Sequence, residues 1–268
     1  MTSRRTGDLA FAVDAAAVAL VALAICVAGD RLAVMTVIVP AVVVARFVAW
    51  GALPRAERDL ALPAELALFA IATLVGSVND WNTVSRHRVY DYNVPSDLGS
   101  LSSIPTWMFL YWGLILRFVL TVFHFRRAGV TRAPDQVWLG RAVVSAPARI
   151  AVLVALAVAT RQTIYRWFDD PVASWLPFAA ALGVAALVLR PDRARVRLVA
   201  VVMVVGPAVE ALLIGVGHLH AYRLGWFAGV PLWIVLWWGL AALIWSELVD
   251  RATDAIAAMM TTVKSAPG

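Results

Sequence analysis

The chain has 268 residues, of which 62% are hydrophobic and only 15% charged. Soluble domains run nearer about 45–50% apolar and about 25% charged, so a water-soluble globule is excluded, and the same numbers exclude a disordered chain. The net charge of +6 comes from 23 Lys and Arg against 17 Asp and Glu. The basic residues fall in short gaps between apolar runs, which is a topology signal and not the basic stripe of a nucleic-acid binder.

The expected class is all-α: a polytopic helical membrane protein with about eight transmembrane helices, in a single integral domain over residues 1–268. A spanning helix needs about 20 apolar residues. In chain order the qualifying runs are Leu9–Ala28, Leu32–Ala52, Leu60–Val78, Ile104–Phe123, Ala142–Thr160, Val172–Leu189, Leu198–Gly217 and Val230–Leu248. Asp14 interrupts the first run and a second run follows at once, so the first is read as a retained helix and not a cleaved signal peptide. Cys26, the only cysteine, lies within that run, so an internal disulfide and a thiol metal site are both excluded. The only lysine is Lys264 at the far end, which excludes a Schiff base buried in a helix.

Arg and Lys alternate along the gaps. The two tails and the gaps after the second, fourth and sixth runs carry 14, and the other four gaps carry six. That asymmetry predicts a plasma (inner) membrane protein with both termini cytoplasmic and the segment around residues 79–103 outside. Asp14, Arg46, Glu65, Arg117 and Arg149 each lie five to seven residues from the cytoplasmic end of a run. They share one depth, roughly 8–11 Å inside, and read as structural charges, either paired with one another or with the arginines snorkelling to the inner headgroups. Glu210 stands apart, about 12 residues into its run. A charge near the midplane costs at least about 2.5–3.5 kcal/mol, so Glu210 is expected to face the bundle interior and a cavity.

The fourth and eighth runs open alike. Ile104-Pro105-Thr106-Trp107 continues to Trp112-Gly113-Leu114, and Val230-Pro231-Leu232-Trp233 continues to Trp238-Gly239-Leu240. The shared pattern is (I/V)-P-x-W-x-x-L-x-W-G-L. Pro suits the first turn of a helix and Trp the headgroup level, but those preferences do not place the second Trp and the Gly at equal offsets. A duplication does, giving a parallel 4+4 repeat with halves of about 1–124 and 139–249. The preceding helices are paired through Pro63-Ala64-Glu65 and Pro207-Ala208-Val209-Glu210. One Trp of each pattern is expected to anchor at the interface and the other to pack inward. Gly113 and Gly239 are expected to let a neighbouring helix approach closely.

The outer gaps hold most of the remaining polar chemistry and read either as an ordered cap or as a site. Candidate acid–base residues are Glu210, Asp80, Asp91 and Tyr222. Candidate substrate contacts are Trp81, Tyr90, His218, His220, Trp233 and Trp238. His218-x-His220 with His87 has no supporting ligand set, so no metal and no cofactor is expected.

The stretch from Glu210 through Gly215, Gly217 and Tyr222 to Gly229-Val230-Pro231-Leu232-Trp233 and Trp238 resembles membrane carotenoid-biosynthesis proteins of the hydratase type. It is also similar to the repeated acid-bearing helices of small membrane lycopene cyclases. About 30 residues carry this likeness, and Asn79-Asp80-Trp81-Asn82 has no counterpart in it. The resemblance implies work on an isoprenoid or similar apolar lipid. The expected function is therefore a membrane-embedded acid–base enzyme on an apolar substrate, with membrane lipid as its partner. The alternatives are a small-solute or ion transporter, or a non-catalytic lipid-binding or assembly protein.

Overall fold

A computed structural model describes residues 5–131, 136–139 and 142–265. Eight α-helices follow one another: α1 (Asp8–Ala28), α2 (Leu32–Ala52), α3 (Leu62–Trp81), α4 (Thr106–His124), α5 (Ala146–Trp167), α6 (Leu176–Leu189), α7 (Arg193–Gly215) and α8 (Leu232–Ser265). Four short strands interrupt them: β1 (Tyr90–Tyr92), β2 (Gln136–Leu139), β3 (Ala142–Ser145) and β4 (His220–Tyr222). Seven of the helices are long and apolar enough to cross a membrane.

Local sequence sets the boundaries. Leu53-Pro54 ends α2, because a residue before proline is pushed out of the helical region. Prolines open α3, α5 and α6 at their first turns, where no backbone donor is needed. Asp192 caps α7, its carboxylate accepting from the Arg195 backbone N–H at 2.7 Å. Two expected spans differ. Residues 142–145 form β3 of a hairpin, so α5 starts at Ala146. The sixth run yields only 14 helical residues, about 21 Å of helix, preceded by turns.

Helix pairs α3/α4 and α7/α8 pack closely at glycines. A Cβ on Gly113 would stand 2.2 Å from Thr73 Oγ1, and one on Gly239 2.6 Å from Met203 Sδ. Gly76 and Gly206 receive Trp112 and Trp238: an added Cβ would stand 2.6 Å from Trp112 Cβ and 2.6 Å from the Trp238 indole. Trp107 and Trp233 are both only 2% exposed. The expectation of an interface anchor is thus corrected: both Trp of each pattern turn inward.

One end of the bundle gathers the arginines. Arg46 bridges Asp14 and Glu65, and Arg117 donates to Glu65 at 2.8 Å and to Asp59 at 2.8 Å. Both guanidiniums lie over Trp50. Arg149 belongs to a separate network, with Glu247 and Arg195. His124 joins the two chain halves, its ring nitrogens 2.8 Å from Asp59 and 2.8 Å from Asp250. Such buried pairs position helices more surely than they stabilise them.

Candidate functional site

The opposite, loop-bearing end carries the site. After α3 a π-helical turn (Asn82–Arg86) reverses the chain into β1, and a turn after α7 leads into β4. The strands pair antiparallel, with Tyr90 opposite Tyr222, Asp91 opposite Ala221 and Tyr92 opposite His220. Because side chains alternate along a strand, Tyr90 and Tyr92 turn inward together while Asp91 faces out.

Two carboxylates sit beneath this ribbon. Asp80 is fully buried and accepts from Tyr90 Oη, from Tyr92 Oη at 2.8 Å and from Trp112 Nε1 at 2.9 Å. Glu210 accepts from Tyr222 Oη and from Trp238 Nε1 at 3.2 Å, and His220 Nε2 stands 3.3 Å from it. The arrangement repeats by residue spacing. Each acid follows a glycine by four residues (Gly76, Gly206), and it precedes the two inward strand residues by ten and twelve. Each is reached by the indole next to the close-packing glycine of the following helix. Burial, then the neighbouring carboxylates, push the Tyr90, Tyr92 and Tyr222 phenols well above their usual range, so they remain donors.

The strand register brings together Asp80, Glu210, Tyr90, His220 and Tyr222. Trp233 joins them through an edge contact with Tyr222, and Trp238 through its hydrogen bond. Three candidates lie elsewhere. Asp91 is exposed by strand alternation. Trp81 is 38% exposed on the bundle's outside. His218 is exposed at a positive φ of 49°, ahead of β4. His87 stacks on Tyr165, so His87, His218 and His220 do not converge. Glu65 is not the partner of Glu210 in this geometry. It lies in the arginine-rich network, and Asp80 occupies the corresponding place. Tyr92, Trp112 and Arg161 are site residues absent from the sequence-based candidates. Tyr92 was legible, because it follows Asp80 by the same twelve residues that separate Tyr222 from Glu210, and pairing Pro63 with Pro207 hides that match; Trp112 was named only as the pattern partner of Trp238.

Glu210 also sits higher than expected. Because α7 begins at Arg193, Glu210 is five residues from the helix end, roughly 8 Å of rise, and not at mid-length. Below it runs a cavity of about 550 Å³, bounded by α1 and α4 on one side and α7 and α8 on the other and open past Val201 and Val205. Met108, Ile115, Val119, Val202 and Val209 line its length, and Phe11, Phe125 and Arg127 its far end. Gly215 and Gly217 do not line it; Gly217 instead meets Ile25 of α1, closing the α1–α7 seam at the loop end. From Met108 to Phe125 is 17 residues, so the chamber is roughly 25 Å long. Its walls are apolar, but its loop end holds polar groups with spare bonding capacity. His220 Nδ1 and the Tyr111 hydroxyl have no hydrogen-bond partner among the described residues, and His220 Nε2 has only its 3.3 Å contact with Glu210. The Arg161 guanidinium lies 5.0 Å from the Trp237 ring centroid.

Fold and site together define an all-helical bundle with seven helices of membrane-crossing length and an apolar chamber with Glu210 at its loop end and Asp80 buried behind the Tyr90 and Tyr92 rings. No model of a protein family matches the chain, and no curated protein does. Among solved structures, a cross-linked cysteine variant of MvINS, crystallised as a trimer, is similar. It shares 23% identity at a TM-score of 0.50, over 70% of this chain and 95% of MvINS. This likeness is one of fold.

Proposed function

We propose that the chain is a multi-pass plasma-membrane protein that holds one elongated apolar molecule, an isoprenoid or other lipid, in the chamber. Its polar head sits against His220, Tyr111 and Glu210. The observation that carries this reading is the chamber itself. Its volume lies in the range of ligand sites, about 300–1,000 Å³, its walls are apolar, and its unsatisfied donors cluster at one end. Among the described residues, Tyr111 and His220 are the polar groups without hydrogen-bond partners that line this chamber, so a ligand head there would meet groups free to bond it.

Membrane residence is supported by large side chains turned outward from the helices, among them Leu23 at 61%, Val37 at 67% and Val204 at 69% exposure. The arginine-rich end is assigned to the cytoplasm. The ends of both halves meet there: Thr6 bonds His124, and Asp192 accepts from Thr131. The repeated acid, glycine, indole and strand geometry supports descent from a duplicated four-helix unit. Bound-lipid extraction from purified protein, followed by mass spectrometry, tests the proposal. One apolar species should co-purify with the wild type and be lost from Ile115→Trp, which fills the chamber. Equal recovery from both proteins would remove the chamber as its site.

A second reading has its own support. His220 and Glu210 form an acid–base pair at the head of the chamber, placed to move a proton to or from the bound molecule, with the aromatic walls steadying a cation. Under it, Glu210→Gln retains the bound molecule but leaves it chemically unchanged, whereas under pure binding the recovered species is identical in both proteins.

A further inference from the structure

Arg161 and Asn79 face two cavities. Beyond the chamber they line a second hollow of about 580 Å³, between α3 and α5. Its floor is apolar and open: Leu74, Val75, Val78 and Val158 are exposed by 63%, 45%, 51% and 55%. Its crown is made of Arg86, Arg161, His87 and the amides of Asn79, Asn82 and Gln162. No carboxylate lines it. Among the described residues, neither Arg86 nor Arg161 forms an ion pair or a hydrogen bond. His87 is stacked flat on Tyr165, with ring centroids 3.8 Å apart, which fixes one edge of the crown.

Two guanidiniums stand at the head of an apolar groove that no carboxylate lines, Arg86 exposed and Arg161 with Asp80 only at longer electrostatic range. An arginine within a spanning helix is ordinarily paired, and Arg161 has no ion-pair partner among the described residues. A guanidinium fork matches phosphate oxygens in bidentate geometry, and three amides supply further donors. We propose that the α3–α5 groove binds the phosphate headgroup of an anionic lipid from the leaflet at the loop end, with its chains lying along Leu74, Val78 and Val158. Charge complementarity selects the headgroup, and the exposed floor selects a lipid over free phosphate. The proposal rests on the membrane reading above but not on the occupant of the chamber.

The test uses the purified full chain in nanodiscs, with bound lipid read by native mass spectrometry. Phosphatidylglycerol is set against a neutral galactolipid with the same acyl chains, and glycerol phosphate serves as a chainless competitor. Retention should favour phosphatidylglycerol. Arg86→Gln and Arg161→Gln should each weaken it about tenfold or more, as expected for a charge-assisted contact. Arg161 also packs on Trp237, so Arg86→Gln, at an exposed position, is the variant free of folding effects. Equal retention of galactolipid, indifference to Arg86→Gln, or displacement by glycerol phosphate at matched concentration would each overturn the proposal. A Val158→Cys variant separates this failure from failure of the membrane reading. Labelling by a water-soluble maleimide refutes membrane residence itself, whereas a shielded cysteine without headgroup preference refutes only the groove.

Discussion

At the scale of single residues, the two carboxylates differ in what surrounds them. Asp80 has no exposure and three neutral donors, while the Glu210 side chain is 13% exposed and has two donors with a histidine alongside. Losing a hydrogen bond to a charged group costs about 1.5–3 kcal/mol, and more when the group stays buried. Trp112→Phe should therefore lower thermal stability more than Trp238→Phe, since water can reach Glu210 more readily than Asp80. Paired melting curves in one detergent decide it, and equal shifts would show that burial does not separate the two acids. The phenols give a pH dependence. Tyr90, Tyr92 and Tyr222 are held above their usual range by burial and by the carboxylates, whereas the unfolded chain releases these protons near about pH 10. Their contribution is complete below that value and is lost as pH rises from it toward the folded values. The phenol contribution should be lost above about pH 10, so stability should fall there, and the Tyr92→Phe variant should fall less steeply.

At the scale of elements, α3/α4 and α7/α8 depend on glycines that admit a neighbour. Gly206→Ala would place a methyl against the Trp238 indole, 2.6 Å from its ring. Overpacking of this kind costs about 1–3 kcal/mol. It should also displace Trp238 from Glu210, visible as changed tryptophan fluorescence; an unaltered spectrum and melting point would contradict the close approach. Asp192→Ala removes the α7 cap and its bond to Thr131, at an expected cost of about 0.5–2 kcal/mol measurable by chemical denaturation. Helix positions were legible because twenty-residue apolar runs leave few alternatives, and the ends of α1 and α2 fall within a residue of expectation. The start of α7 was not, because Arg193, Arg195 and Arg197 break the apolar run while Asp192 still caps a helix. The three-residue strands were also hidden: β1 and β4 are 130 residues apart in sequence, and their pairing is a tertiary fact. Strand alternation nonetheless placed Asp91 outside once Tyr90 and Tyr92 were known to point inward together, a period-two signal present in Tyr-Asp-Tyr itself. Asp80 and Glu210 were individually legible; the match between them lies in the glycine four residues before each and the strand residues ten and twelve after, which the proline-based pairing of Glu65 with Glu210 hides.

At the scale of the whole molecule, the two halves touch at both ends and along α4 and α8, where Trp245 Nε1 donates to the Leu116 carbonyl at 2.9 Å. The β1–β4 ribbon and the Ile25–Gly217 contact join them at the loop end, and His124 with Asp59 and Asp250 joins them at the arginine-rich end. The chamber occupies the middle. A molecule bound there contacts both halves, so it binds the folded chain and not the unfolded one, and mass action converts occupancy into stability: about 2.7 kcal/mol at a hundredfold excess over Kd. Removing the co-purifying lipid should lower the melting temperature, and adding it back should restore it in a concentration-dependent way. Ile115→Trp fills part of the chamber with the protein's own side chain, so its melting temperature should no longer respond to the lipid. A wild-type protein whose melting is indifferent to lipid removal would mean that the halves are held by their direct contacts alone and that the chamber is not a ligand site. A variant that still responds as the wild type does would place the stabilising lipid elsewhere on the molecule, with the α3–α5 groove the first surface to test.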